Sequence, residues 1–115
     1  MKLTNNQIFA LTEALAEVRN LGLSVPVKVG FKILKNFNIL LPNYETIIKM
    51  RDEFATEYDE NNHEESIAAI NQKLIELGAI EQEIELIPIL LSEIETLEMD
   101  MSLLDRIQLL IKDEA

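Results

Sequence analysis

The sequence predicts a mostly α, small α+β fold: an antiparallel helical hairpin or bundle around one long helix, with one short acidic strand and a C-terminal helix. Apolar residues recur at helical spacing over residues 27–58. Only three Gly and three Pro interrupt the 115 residues, which indicates few turns and long elements. Aromatic residues make up 5% of a chain that is 48% hydrophobic, so the core should consist of Leu and Ile. At this length we expect a single domain, residues 1–115.

The long helix is the element that the other segments should cover. One apolar row recurs every three or four residues: Val27, Gly30, Leu34, Phe37, Leu41, Tyr44, Ile48, Arg51, Ala55 and Tyr58. A second row runs beside it: Ile33, Leu40, Ile47 and Phe54. Two adjacent rows form one wide stripe, which predicts a helix over residues 26–58. Because proline removes a backbone hydrogen bond and clashes with the preceding turn, we expect a kink near Pro42. The alternative is a break between Asn36 and Asn43.

The first helix is predicted over residues 4–21. Thr4 and Gln7 form a capping-box pattern, in which each side chain bonds the other residue's backbone amide. Gly22 follows the last apolar position and is typical of the left-handed residue after a helix. These start and stop signals are local, so they bound the helix without reference to the rest of the chain.

Three further helices are predicted in the second half of the chain. An apolar stripe indicates a helix over residues 65–77, and we expect Gly78 to end it. Two short helices follow, over residues 93–97 and 103–113. A polar, acidic loop should connect the long helix to the helix at 65–77.

Residues 82–90 are predicted to form the strand, because apolar residues and glutamates alternate there. The exposed face would carry the carboxylates of Glu81, Glu83 and Glu85. Pro88 restricts the segment to a sheet edge. A strand needs a hydrogen-bonding partner, and three possibilities are open: residues 38–41 are extended, a second copy supplies the partner, or the segment is helical or irregular.

Charge and composition exclude several classes of function. The net charge is −11, but residues 1–51 carry +4 and residues 52–115 carry −15. This uneven distribution of charge permits the two halves to pack together or separate chains to associate head to tail. The acidic balance argues against direct nucleic-acid binding, which gains affinity from cations that displace phosphate counterions. The chain has no Cys, which excludes disulfides and thiolate metal sites.

The sequence also indicates a soluble, cytoplasmic protein with no membrane partner. Its first residues lack the apolar core of a signal peptide. The longest uncharged apolar run is Leu86–Leu91. A membrane-spanning helix needs about 20 such residues.

No catalytic, cofactor-binding or metal site is predicted. His63 is the only histidine, and zinc sites need several His or Cys ligands. The acidic segment around His63 lacks the central Gly and the terminal Glu of a calcium loop. No glycine-rich phosphate loop is present, so we expect a protein without enzymatic activity and without a cofactor.

The run Val25–Asn36 resembles a segment common in small phage and prophage proteins. In that helical family a long helix follows and ends in a pattern similar to Arg51–Tyr58. An alternating segment like Glu83–Ile89 and a turn like Leu91–Ile94 come next. The family is mostly uncharacterised and is often encoded among virion-assembly genes. The resemblance implies a phage origin, a phage-infected or lysogenic bacterial host and no enzymatic residues, although Pro42 departs from the pattern.

The leading hypothesis is a non-catalytic, phage-type interaction or assembly protein that forms homo-oligomers or binds another phage or host protein. Its candidate interaction surface, on a helical bundle or coiled coil, is Leu34, Phe37, Leu41, Tyr44, Ile48, Arg51 and Tyr58. The wide stripe exceeds what three short amphipathic helices can cover. One alternative is an acidic inhibitor of a host defence or nucleic-acid enzyme, in which phosphates are mimicked by Glu81, Glu83, Glu85, Glu93 and Glu95. Another is a small-ligand sponge at an oligomer interface.

Overall fold

A computed structural model describes residues 1–22, 24–95 and 97–113. The described helices are α1 (Asn5–Asn20), α2 (Val27–Ala55), α3 (His63–Ala79), α4 (Leu91–Ile94) and α5 (Met101–Arg106). The described strands are β1 (Lys2–Thr4), β2 (Glu81–Glu83), β3 (Ile89–Leu90) and β4 (Ile111–Lys112). Single 3-10 turns lie at Glu60–Asn62 and Gln108–Leu110. The prediction of a mostly α, small α+β fold around one long helix is confirmed. Thr96, in the predicted helix 93–97, and Leu23, in the first helix connection, lie outside the described residues.

Helix α1 begins and ends at the predicted signals. The backbone amide of Gln7 donates to Thr4 Oγ1 at 3.2 Å, and the amide of Thr4 donates to Gln7 Oε1 at 2.9 Å. The capping box is therefore complete. Gly22 has φ +64°, the left-handed conformation that glycine adopts without strain.

Helix α2 continues through Pro42, so the alternative of a break between residues 36 and 43 is wrong. Pro42 cannot donate to the carbonyl of Asn38, and both residues are exposed, so water can hydrate the freed carbonyl. The inner face of α2 is buried through Val29, Ile33, Asn36, Leu40 and Ile47. The helix ends at Ala55, three residues before the predicted end.

Helix α3 is longer than predicted at both ends, and Gly78 does not end it. Gly78 is a buried residue inside the last turn. A Cβ at this position would lie 2.4 Å from Asn6 Oδ1, so glycine allows the start of α1 to approach α3. The carbonyl of Leu77 near the helix end accepts from Asn5 Nδ2 at 2.9 Å. A side chain of α1 thus caps this end, where a left-handed glycine was expected.

The predicted strand 82–90 is wrong in extent, and its partners are not among the strands that were considered. The structure has two short strands, β2 and β3, separated by a non-strand segment over residues 84–88. Strand β2 pairs antiparallel with β1, and β3 pairs parallel with β4. Both partners belong to the same chain, whereas residues 38–41 are helical. Pairings of two or three residues between distant segments leave too little local pattern to be predicted.

The two predicted C-terminal helices also need correction. Helix α4 covers Leu91–Ile94 and therefore begins before residue 93. Helix α5 begins at Met101, because the carboxylate of Asp100 accepts from the amide of Ser102 at 2.9 Å. The predicted helix 103–113 ends at Arg106, and the chain then turns into β4.

Asn36 connects α2 to the segment between β2 and β3. Its side chain is fully buried on the inner face of α2. Asn36 Nδ2 donates to the carbonyl of Ile87 at 2.8 Å, and the amide of Ile87 donates to Asn36 Oδ1 at 2.7 Å. The side-chain amide of Asn36 therefore satisfies both backbone groups of Ile87, which does not pair with a neighbouring strand.

The distal part of the α2–α3 hairpin forms an arm, defined here as residues 48–76. No residue of the arm is buried, and all of it lies in the described part of the chain. The radius of gyration is 17.2 Å and the principal extents are 55 × 27 × 22 Å. A compact domain of this length has a radius of gyration of about 13 Å. The arm therefore projects from a smaller packed body.

Replacing Asn36 by Ala should destabilise the fold by about 2–4 kcal/mol, because two partly buried backbone groups of Ile87 lose the partners that the buried side chain provides. Urea unfolding followed by circular dichroism measures this change. Asn38→Ala, on the exposed side of the same helix, is the control and should change the unfolding free energy by less than about 0.5 kcal/mol. Equal effects of the two substitutions would contradict the assigned role of Asn36.

Backbone amides in the first half of α3 should exchange with solvent at least about tenfold faster than those in the middle of α1. The first half of α3 has no buried residue, whereas α1 is buried on one face. Hydrogen exchange read by mass spectrometry or NMR compares residues 64–73 with residues 9–18. Equal protection would show that the arm unfolds only with the body.

Candidate protein interaction surface

Three residues of the predicted interaction surface contact α1 of the same chain. The Arg19 guanidinium lies 4.8 Å from the centre of the Phe37 ring. The Phe9 ring stacks on Tyr44 with 5.0 Å between ring centres, and the Arg51 guanidinium lies 4.8 Å from the Phe9 ring centre. Phe37, Tyr44 and Arg51 therefore help to dock α1 on α2.

Five apolar residues of the same stripe, spaced seven residues apart, form an outer row, defined here as Val27, Leu34, Leu41, Ile48 and Ala55. They recur every seven residues along the whole of α2. Val27 is 89% exposed and Leu34 is 44% exposed. Ala55 is exposed, and Leu41 and Ile48 are half-buried. Among the described residues, the apolar core and the side chains packed on it include none of the five. A coiled coil has two apolar positions in every seven residues. The outer row supplies one of them, because the intervening Phe37, Tyr44 and Arg51 contact α1.

Two shallow cavities, together called the groove here, lie between the outer row and α1. One cavity of about 290 Å³ lies between Leu41 and α1, and Ala16 forms part of its wall. A second cavity, of about 300 Å³, lies between Leu34 and the end of α1 near Val18. Ala16 lines the first cavity and Gly30 lines the second.

The accessible surface is larger than a compact monomer of this mass exposes. The chain exposes 7602 Å² at a mass of 13.2 kDa. A compact monomer of the same mass exposes about 6400 Å². The difference exceeds the roughly 800 Å² that each partner contributes to an interface of standard size.

Tyr58 belongs to the predicted surface, whereas Phe31 was not predicted, and neither lies in the outer row. Tyr58 lies beyond the end of α2, where its hydroxyl bonds His63 Nδ1 at 2.7 Å at the tip of the arm. Phe31 is exposed one turn after Val27. The sequence prediction missed Phe31, because it falls outside both rows of the 3–4 pattern. A large aromatic residue on the polar side of the predicted helix is the signal that could have identified Phe31.

The other predicted sites are solvated. Glu81 and Glu83 are exposed on β2, and Glu85 is exposed in the segment that follows. Within residues 1–22, 24–95 and 97–113, no cluster of three or more His, Asp or Glu side chains is placed to hold a metal ion. Over the same ranges, no helix combines the length and the apolar character needed to cross a membrane.

Three of the four lysines of α2 lie in its first half, and Lys49 lies in its second half. Lys28, Lys32 and Lys35 share one face of the helix, and the ammonium of Lys32 pairs with Glu93. The hydrogen bond from Lys32, and then that from the amide of Leu90 at 2.9 Å, lower the pKa of Glu93. Lys28 and Lys35 are exposed.

Comparisons with protein-family models, with curated proteins and with solved structures find no match for this chain. The candidate interaction surface therefore rests on geometry alone: an apolar outer row, an adjoining groove and a large accessible surface.

The contribution of Glu93 to stability should depend on pH in the acid range. Because its pKa is lowered in the folded state, its charged form stabilises the fold above the unfolded pKa of about 4.3, and this contribution is lost as pH falls through the lower folded pKa. Glu93→Gln should therefore unfold at lower urea concentration than the parent at pH 7, and the difference should shrink below about pH 4.

Glu95→Gln is the matched control, because Glu95 is exposed two residues further along the chain. Its unfolding midpoint should follow that of the parent protein across the same pH series. A difference for Glu93→Gln that stays constant from pH 7 to pH 3 would contradict the role of the carboxylate charge.

Proposed function

We propose that this chain is a non-catalytic protein–protein interaction or assembly protein that acts as a homo-oligomer. The single observation that carries the proposal is the outer row, five apolar residues at seven-residue intervals that the chain leaves partly or wholly exposed. Isolated apolar residues on a surface are common, whereas apolar residues repeated along one side of a helix favour an interaction site. A row with coiled-coil spacing favours a helix as the partner.

The size of the accessible surface supports the same proposal. The excess over a compact monomer is larger than the area that one subunit buries in an interface of standard size. The groove beside the outer row offers a concave surface along which a partner helix can lie. Small proteins with limited cores commonly gain stability by oligomerisation, which agrees with an arm that has no buried residue.

The biological setting follows from the resemblance of residues 25–36 to small phage and prophage proteins. We infer a phage-type protein that acts in the cytoplasm of a phage-infected or lysogenic bacterium. Its partners are then copies of itself, another phage protein or a host protein. Genes for such proteins often lie among virion-assembly genes, so an assembly role is the form of the proposal that the resemblance favours.

The purified chain should sediment as a dimer or larger species at micromolar concentration, and Leu34→Glu should raise the dissociation constant at least about tenfold. A charge at this position would have to be buried against apolar side chains of the partner. Sedimentation velocity between 1 and about 100 µM measures both proteins.

Met101→Glu is the control, because Met101 is 83% exposed on α5, away from the outer row. This variant should associate as the parent does. A parent protein that remains monomeric over the whole concentration range would reject homo-oligomerisation.

A further inference from the structure

We propose that the outer row of α2 is covered by α2 of a second copy, packed antiparallel about a two-fold axis near Leu41. This inference rests on the proposed function and names its partner and its orientation. Val27 of one copy would then face Ala55 of the other, and Leu34 would face Ile48. Leu41 would face its own counterpart.

The charges along α2 select the orientation. Residues 27–41 contain the three lysines of the first half and no Asp or Glu. Residues 45–57 contain four Asp or Glu and two Lys or Arg. A parallel pair would place the lysines beside each other and the carboxylates beside each other, whereas an antiparallel pair places each lysine-rich half beside an acidic half.

The arm strengthens this charge difference. Residues 52–65, which include the tip of the arm, carry seven Asp or Glu and no Lys or Arg. A parallel pair would bring two such tips together, while the antiparallel pair separates them by the length of α2. Lys28 and Lys35 are exposed in the lysine-rich half of α2, which the antiparallel pair places beside the acidic half of the partner.

The geometry of the outer row fits the same arrangement. The row spans the whole helix, and its members are apolar at both ends and in the middle, so every position has an apolar counterpart after a two-fold rotation. An isologous two-fold contact is also the commonest form of homo-oligomer, because it closes on itself. The groove beside Leu34 and Leu41 continues the contact surface onto α1.

Disulfide cross-linking of single-cysteine variants tests the proposal directly, because the parent chain has no Cys. Val27→Cys and Ala55→Cys change exposed residues at the two ends of the outer row. They lie about 42 Å apart along one helix, too far for a disulfide within one chain, which needs Cα atoms within about 7 Å. Mixing the two variants, one with a longer affinity tag, and oxidising them should give the mixed disulfide dimer as the main cross-linked product.

Two further variants sharpen the test. Leu41→Cys should form a symmetric disulfide dimer. Thr46→Cys is the matched control, because Thr46 is exposed on the same helix but lies five residues after Leu41, outside the seven-residue row. It should remain monomeric on a non-reducing gel.

The outcomes separate this inference from the proposed function. If Val27→Cys and Ala55→Cys each form disulfide-linked homodimers efficiently, like positions face each other and the antiparallel orientation is overturned. A protein that sediments as a dimer but cross-links at none of the three row positions would overturn the assigned face and leave homo-oligomerisation intact. A protein that is monomeric by sedimentation would overturn both.

Discussion

The length of α2 relative to α1 is the constraint on which the rest of the structure depends. Helix α2 has 29 residues and α1 has 16, which correspond to about 43 Å and about 24 Å of helix. Helix α1 can therefore cover only part of α2, and it covers the side that carries Phe37, Tyr44 and Arg51. The unburied arm, the exposed outer row and the large accessible surface all follow from this mismatch.

The packed body holds α2 through contacts near its first half. Asn36 bonds both backbone groups of Ile87, and Lys32 pairs with Glu93, so the segment between β2 and α4 is fixed to the helix. The pairings of β1 with β2 and of β3 with β4 then fasten the two ends of the chain to the same segment. Stability is concentrated in this body, and the second half of α2 extends beyond it.

Local signals allowed the sequence to predict the helices but not the contacts between distant segments. The Thr4–Gln7 capping box and the conformation of Gly22 depend on residues close in sequence, and both predictions are confirmed. Gly78 and Asn36 depend on remote partners, Asn6 and Ile87, which no local pattern identifies. The same limit explains why the short strands, each two or three residues long, were merged into one and why their partners, β1 and β4, were not among the possibilities considered.

The sequence predicted the wide apolar stripe, but it could not predict which residues of the stripe contact α1 and which form the outer row. The position of α1 decides which residues of the stripe contact α1 and which form the outer row, and that position is a property of the tertiary structure.

The seven-residue spacing of the outer row determines the shape of the partner that can contact all of it. On a straight helix such a row drifts by about 20° per repeat, or about 80° over the four repeats between Val27 and Ala55. A straight partner would therefore meet only part of the row, whereas a helix wound around α2 with a left-handed supercoil would contact it throughout. A second copy of α2 carries the same repeat, so two copies can adopt that supercoil together.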